Sequence, residues 1–78
     1  MKVHLSGELG FYGPGRRSRF EVHLERPVPL REALRRIGVP EGEIAVCGLN
    51  GEVVRIADPR LQVEDTDRLD LFPASSGG

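Results

Sequence analysis

Only one stretch of this chain spaces its apolar residues for a helix. Leu30, Ala33, Leu34 and Ile37 recur at i, i+3, i+4 and i+7, which makes one apolar stripe. Arg31, Glu32, Arg35 and Arg36 cover the opposite face. Pro29 suits the first helical turn, Gly38 suits the position just past the last turn, and Pro40 blocks continuation. So short a helix cannot enclose a core and must be laid on a sheet. The strands have to come from the rest of a 78-residue chain.

Several segments alternate as half-buried strands do. In residues 2–6 Val3 and Leu5 face inward, and in residues 19–24 Phe20, Val22 and Leu24 do so. Between them, residues 7–18 hold four glycines and a proline, the composition of a loop. These first two strands form an antiparallel hairpin with a long connection. Pro27-Val28-Pro29 interrupts the pattern before the helix. Residues 43–49 are a continuous apolar run, read as a more buried strand. Asn50-Gly51 predicts a tight turn, because both residues accept positive φ, and residues 52–55 return as a short strand. Residues 56–66 read as a connection with Leu61 and Val63 as core plugs. Asp65 and Asp67 offer side chains that cap a turn. Residues 68–72 alternate again, with Leu69 and Leu71 inward.

This order gives an α+β chain with one main helix packed on one face of a mixed sheet of four to five strands. First and last strands that neighbour each other at the sheet centre run parallel, which is the β-grasp (ubiquitin-like) arrangement. The reading divides the chain into a domain over residues 1–73 and a flexible tail over 74–78, since Ala74-Ser75-Ser76-Gly77-Gly78 is too small and polar to pack.

Composition narrows the function classes. Apolar residues at 38% and charged residues at 29% fit an ordinary globular domain. A net charge of −1 gives no broad attraction for nucleic acid. The single cysteine, Cys47, excludes an internal disulfide and a multi-cysteine zinc site. No apolar run approaches the roughly 20 residues of a membrane helix, and the N-terminus lacks a signal-peptide core. The reading is a cytoplasmic protein without a membrane partner.

The C-terminal residues Asp65-Thr66-Asp67-Arg68-Leu69-Asp70-Leu71-Phe72-Pro73, followed by a short spacer and Gly77-Gly78, resemble the end of the molybdopterin synthase small subunit. The thiazole-forming sulfur carrier of thiamine synthesis ends similarly, usually without Phe-Pro. The resemblance spans the whole chain in element order and about the last 14 residues in detail. Thr66 stands where that family usually has glycine, the spacer lacks a second proline, and the loop at 7–18 is longer and more basic.

The resemblance implies a ubiquitin-like sulfur carrier. An adenylating enzyme of the ubiquitin-activating type would convert the Gly78 carboxylate to an acyl-adenylate. A sulfur donor, such as a cysteine desulfurase system, would then displace AMP and leave a thiocarboxylate. ATP and Mg would serve the activating partner, with no cofactor or metal bound by the chain. A molybdopterin synthase large subunit is a further implied partner. The carrier would be no enzyme itself, since it supplies no acid or base. Gly77 and Gly78 lack a Cβ and can thread a narrow channel. Ser75 and Ser76 keep the tail thin, and Pro73 stiffens its exit. Six residues from Pro73 reach roughly 20 Å. Carriers for thiamine, cysteine or tRNA thiolation use the same activation. A protein modifier joined through Gly78 and a non-carrier interaction module are further alternatives. Lys2, the only lysine, argues against polymers of the chain on itself.

Other residues have two readings each. Parity puts Phe72 on the open face, where the resemblance gives its aromatic a docking role; alternatively it folds over the sheet end as local core. Cys47 lies in the most apolar strand and reads as a small buried hydrophobe rather than a reactive thiol. His4 and His23 lie on the polar faces of neighbouring strands, close enough to consider together, but two histidines do not complete a metal site. Gly13-Pro14-Gly15-Arg16-Arg17-Ser18 lacks P-loop spacing. With Arg19 it reads as a basic loop tip open to an acidic partner or, as the weaker alternative, RNA.

Overall fold

The computed structural model describes residues 1–74. Five strands form the main sheet. They are β1 (Lys2–Leu5), β2 (Arg19–Glu21), β4 (Ile44–Leu49), β5 (Glu52–Val54) and β7 (Arg68–Pro73). The helix α1 runs Leu30–Ile37. Two short strands, β3 (Val28–Pro29) and β6 (Gln62–Val63), pair antiparallel apart from the main sheet.

The first and last strands are central and parallel, with Val3 opposite Leu69 and Leu5 opposite Leu71. β2 and β4 flank them antiparallel, and β5 closes the far edge. One sheet face carries Val3, Leu5, Cys47, Leu69 and Leu71, all buried. The helix covers it with Leu30, Ala33 and Leu34. This is the β-grasp architecture that the element order predicted.

Local chemistry explains most boundaries. The helix ends where Gly38 turns left-handed at φ 91°, and its N–H donates to the Leu34 carbonyl. Pro29 stands just before the helix rather than in its first turn, with extended ψ 145°. Asn50 and Gly51 take φ 53° and 86°, the tight turn that their identities predicted. Asp67 ties the last strand to that turn. Its carboxylate accepts from Asn50 Nδ2 at 2.9 Å and from the Glu64 N–H at 2.8 Å. Asp65 Oδ1 accepts from the Leu24 N–H at 2.9 Å, and the Met1 ammonium donates to the Val22 carbonyl at 2.7 Å.

Several expectations need correction. β2 stops at Glu21 rather than residue 24. Leu24 is still buried, but beyond the strand, where Asp65 rather than a neighbouring strand takes its N–H. Val28-Pro29 does not merely interrupt the chain, and residues 56–66 are not all connection, because Val28 and Val63 pair across the two. Val63 is a core plug, whereas Leu61 only packs against the core from its margin. Residues 7–18 are not a plain loop: a 3-10 turn over Gly7–Tyr12 and a tight turn with left-handed backbone over Pro14–Arg16 fold there, and Leu9 is buried. Finally, the apolar run at 43–49 is not buried throughout, since Ala45 and Val46 are exposed.

Candidate functional site

The parallel pairing of β1 with β7 decides where the C-terminus leaves. Both strands finish at the same end of the sheet, so the β1–β2 connection and the chain beyond Pro73 share that end. Two neighbours hold the exit. The Ala74 N–H donates to the Glu43 carbonyl at 2.8 Å. On the other side Gly7 packs against Pro73, where a Cβ would stand at an ordinary contact distance, 3.4 Å from Pro73 Cγ. It is the φ of 54° at Gly7 that disfavours a side chain there.

Alternation along β7 buries Leu69 and Leu71 and turns Arg68, Asp70 and Phe72 to the open face. Phe72 is 42% exposed, so it is not local core. A bulge in β4 supplies its neighbour. Ile44 pairs with Pro73 and Val46 with Phe72, leaving Ala45 as the extra residue. Val46 thereby stands opposite Phe72, 39% exposed. Gly48 then opposes Val53, which is 78% exposed on the edge strand. Gly48 has no side chain, so this half of the open face is an apolar shelf of Phe72, Val46 and Val53.

The other half is charged. Lys2 and His4 lie opposite Glu21 and Arg19. His4 Nδ1 is 3.5 Å from Asp70 Oδ1, and Arg68 Nε is 3.3 Å from Asp70 Oδ2. An apolar shelf with a charged border beside an exiting strand has the make-up of a protein-docking surface, with an aromatic anchor near its centre.

The remaining candidates take ordinary places. Cys47 is buried on the core face, and burial, with the nearby Asp70 carboxylate, pushes its thiol up to about 11. It is protonated and a poor nucleophile at neutral pH. His4 and His23 are not close: β2 brings Arg19 opposite His4, and His23 lies four residues further, about 13 Å along a strand. His23 instead lies 3.2 Å from Asp65. No cluster of three or more metal-ligating side chains occurs among the described residues. No helix among them is long and apolar enough to cross a membrane.

Of the residues singled out from sequence, Phe72 and Pro73 come together with the tail exit. Ser75, Ser76, Gly77 and Gly78 lie outside the described residues. Val46 and Val53 are the additions. Counting back from an inward Cys47 would have turned Val46 outward, but the uninterrupted apolar run masked that parity.

No protein-family model and no curated protein matches the sequence. Solved structures do. The crystal structure of the thiamine biosynthesis protein ThiS from Geobacter metallireducens superposes with a TM-score of 0.59 at 24% identity, covering 100% of both chains. A solution structure of a thiamine biosynthesis protein from the same organism gives 0.57 at 22% identity, covering 100% of this chain and 88% of the other. At this identity the likeness is one of fold.

Proposed function

We propose that the chain is a ubiquitin-like sulfur carrier whose working group is the Gly78 carboxylate. The observation that carries this reading is the placing of the exit. The central strand β7 ends at Pro73 beside an apolar shelf, and the sequence then runs through small residues to Gly77-Gly78. A partner docked on Phe72, Val46 and Val53 receives a thin tail over residues 74–78, threaded towards its reaction centre.

The chemistry follows from the weakness of a carboxylate as an electrophile. A Gly78 carboxylate oxygen attacks the α-phosphorus of MgATP in an adenylating enzyme, and pyrophosphate leaves. The acyl-adenylate carbonyl is then attacked by sulfide from a donor, and AMP leaves with the C–O electron pair. The product is a thiocarboxylate, whose sulfur is ionised at neutral pH and is the group transferred. The chain works in the cytoplasm as substrate and carrier, and the catalytic groups belong to its partners.

The sequence Phe72-Pro73 favours molybdopterin or tungstopterin cofactor synthesis, with a molybdopterin synthase large subunit accepting the tail. Thiamine synthesis is the second reading, favoured by the fold shared with the two thiamine biosynthesis proteins. Reconstituting the loaded carrier with each acceptor enzyme separates them. The carrier reading itself is tested by ATP–pyrophosphate exchange on an adenylating enzyme. Exchange should depend on this chain and stop when Gly77 and Gly78 are deleted. Exchange indifferent to that deletion would refute it.

A further inference from the structure

The loop tip between β1 and β2 is built for something the carrier chemistry does not use. Gly15 and Arg16 are consecutive left-handed residues at φ 59° and 60°, and the Arg17 N–H closes the turn on the Pro14 carbonyl at 3.0 Å. The turn folds so tightly that a Cβ on Gly13 would lie 1.8 Å from the Arg17 carbonyl oxygen. Gly15 takes this geometry freely, but Arg16 does not: a left-handed residue with a Cβ costs about 1–2 kcal/mol.

What the strain achieves is a fixed guanidinium. Arg16 Cζ lies 4.8 Å over the Phe11 ring centroid. Phe11 is 62% exposed and is braced edge-on by Tyr12, with centroids 5.9 Å apart and an interplanar angle of 84°. Tyr12 packs against the core. An exposed cation–π contact stabilises by about 0.5–1 kcal/mol, which offsets part of the backbone cost. Glycine at position 16 would relieve the strain but lose that contact and about 0.5–1 kcal/mol of chain entropy, so Arg16 brings folding no clear gain, and strain of this kind points to function.

Charge and position indicate the partner. Arg31, Arg36, Arg60 and Arg68 each pair with a carboxylate. Arg16, Arg17 and Arg19, like the dispersed Arg26, Arg35 and Arg55, make no ion pair among the described residues; the loop is set apart by three such arginines within four positions, and the only acid in residues 7–19 is Glu8. The loop leaves β1 at the same end as the tail. Its tip lies over β2, where the Gly13 Cβ position is 3.3 Å from Phe20 Cε1. β2 is two strands from β7, about 10 Å across the sheet, and Phe20 is level with Leu69 through Val3, about 13 Å along the strand from Pro73.

We propose that the Phe11–Arg17 tip is a second docking element, which engages an acidic protein surface flanking the channel that receives the tail. This rests on the carrier reading, with the adenylating enzyme as partner. A protein fits better than RNA, because Arg16 already covers one face of the Phe11 ring and Tyr12 is packed against the core. Three arginines on a chain of net charge −1 are also a small footprint for a polyphosphate strand.

The test is the affinity of the full-length chain for its adenylating enzyme, comparing wild type with Arg16→Gly combined with Arg17→Gln. Glycine accepts the left-handed turn, and its chain entropy and the lost cation–π contact about balance the strain relieved, so a thermal melt should stay close to that of the wild type. Binding should weaken about tenfold at low salt, with the difference disappearing at high salt. Equal affinity in a wild type that is bound and adenylated overturns the docking element and leaves the carrier reading standing. Neither binding nor adenylation of the wild type overturns both. Tight binding of a fluorescent single-stranded RNA that the double variant loses assigns the tip to RNA and also overturns the proposal.

Discussion

Replacing Phe72 by alanine is the sharpest perturbation of the apolar shelf. A phenylalanine presents about 200 Å² of surface, and 42% of it is open at this position, leaving about 80 Å² for a partner to cover. At about 25 cal/mol per Å² that area contributes about 2 kcal/mol to docking, or about 30-fold in Kd. The assay is titration calorimetry of the chain against an adenylating enzyme of the proposed kind, with circular dichroism melts of both variants. A second variant guards against an effect on folding. Val53 is 78% exposed on the edge strand β5, so Val53→Asp changes the fold little but brings a charge to the shelf. Phe72→Ala should lose about 30-fold in affinity, and Val53→Asp at least tenfold by about the same reckoning. Unchanged Kd for both, in folded variants, would refute the shelf as a docking surface.

The interior makes its own demands. Leu71 is fully buried at the centre of the sheet, so Leu71→Ala should cost about 2–5 kcal/mol. That is a large part of the about 4–12 kcal/mol expected for a domain of this size, and urea unfolding would measure it. Native Cys47 should resist a thiol reagent at pH about 8, with its thiol pushed up to about 11, and react once urea unfolds the chain. The Asp65 carboxyl is held below its ordinary value of 3.8, first by the Leu24 N–H and then by the N-terminal ammonium and His23. A depressed folded pKa means that this stability is complete above 3.8 and is lost as pH falls through the folded value. Asp65→Asn should therefore flatten the acid limb of stability against pH, and an unchanged limb would count against Asp65 as its source.

Much of the fold was legible because the signals are local. Leu30, Ala33, Leu34 and Ile37 announce a helix by period alone, and Asn50-Gly51 announces its turn by identity. What was hidden depends on distant partners. Val28 and Gln62-Val63 are strands only because they meet each other, and no alternation survives over two residues. Leu9 packs into the core from a glycine-rich turn with no period to betray it. The bulge at Ala45 is fixed by how β4 pairs with β7, so Val46 was counted with the buried run instead of with Phe72. Phe72 itself was placed by parity, because Leu69 and Leu71 mark the inward face without ambiguity. The left-handed Arg16 was illegible, since arginine gives no sign of positive φ.

Conversion of the Gly78 carboxylate to a thiocarboxylate changes the mass of the chain, so intact-mass spectrometry reads it without an intermediary assay. The chain is incubated with an adenylating enzyme, MgATP and a sulfide donor, beside a carrier which that enzyme is known to activate. The mass should rise by the difference between one sulfur and one oxygen, and removal of Gly78 should abolish the rise. An unchanged mass while the control carrier is converted would contradict the carrier reading.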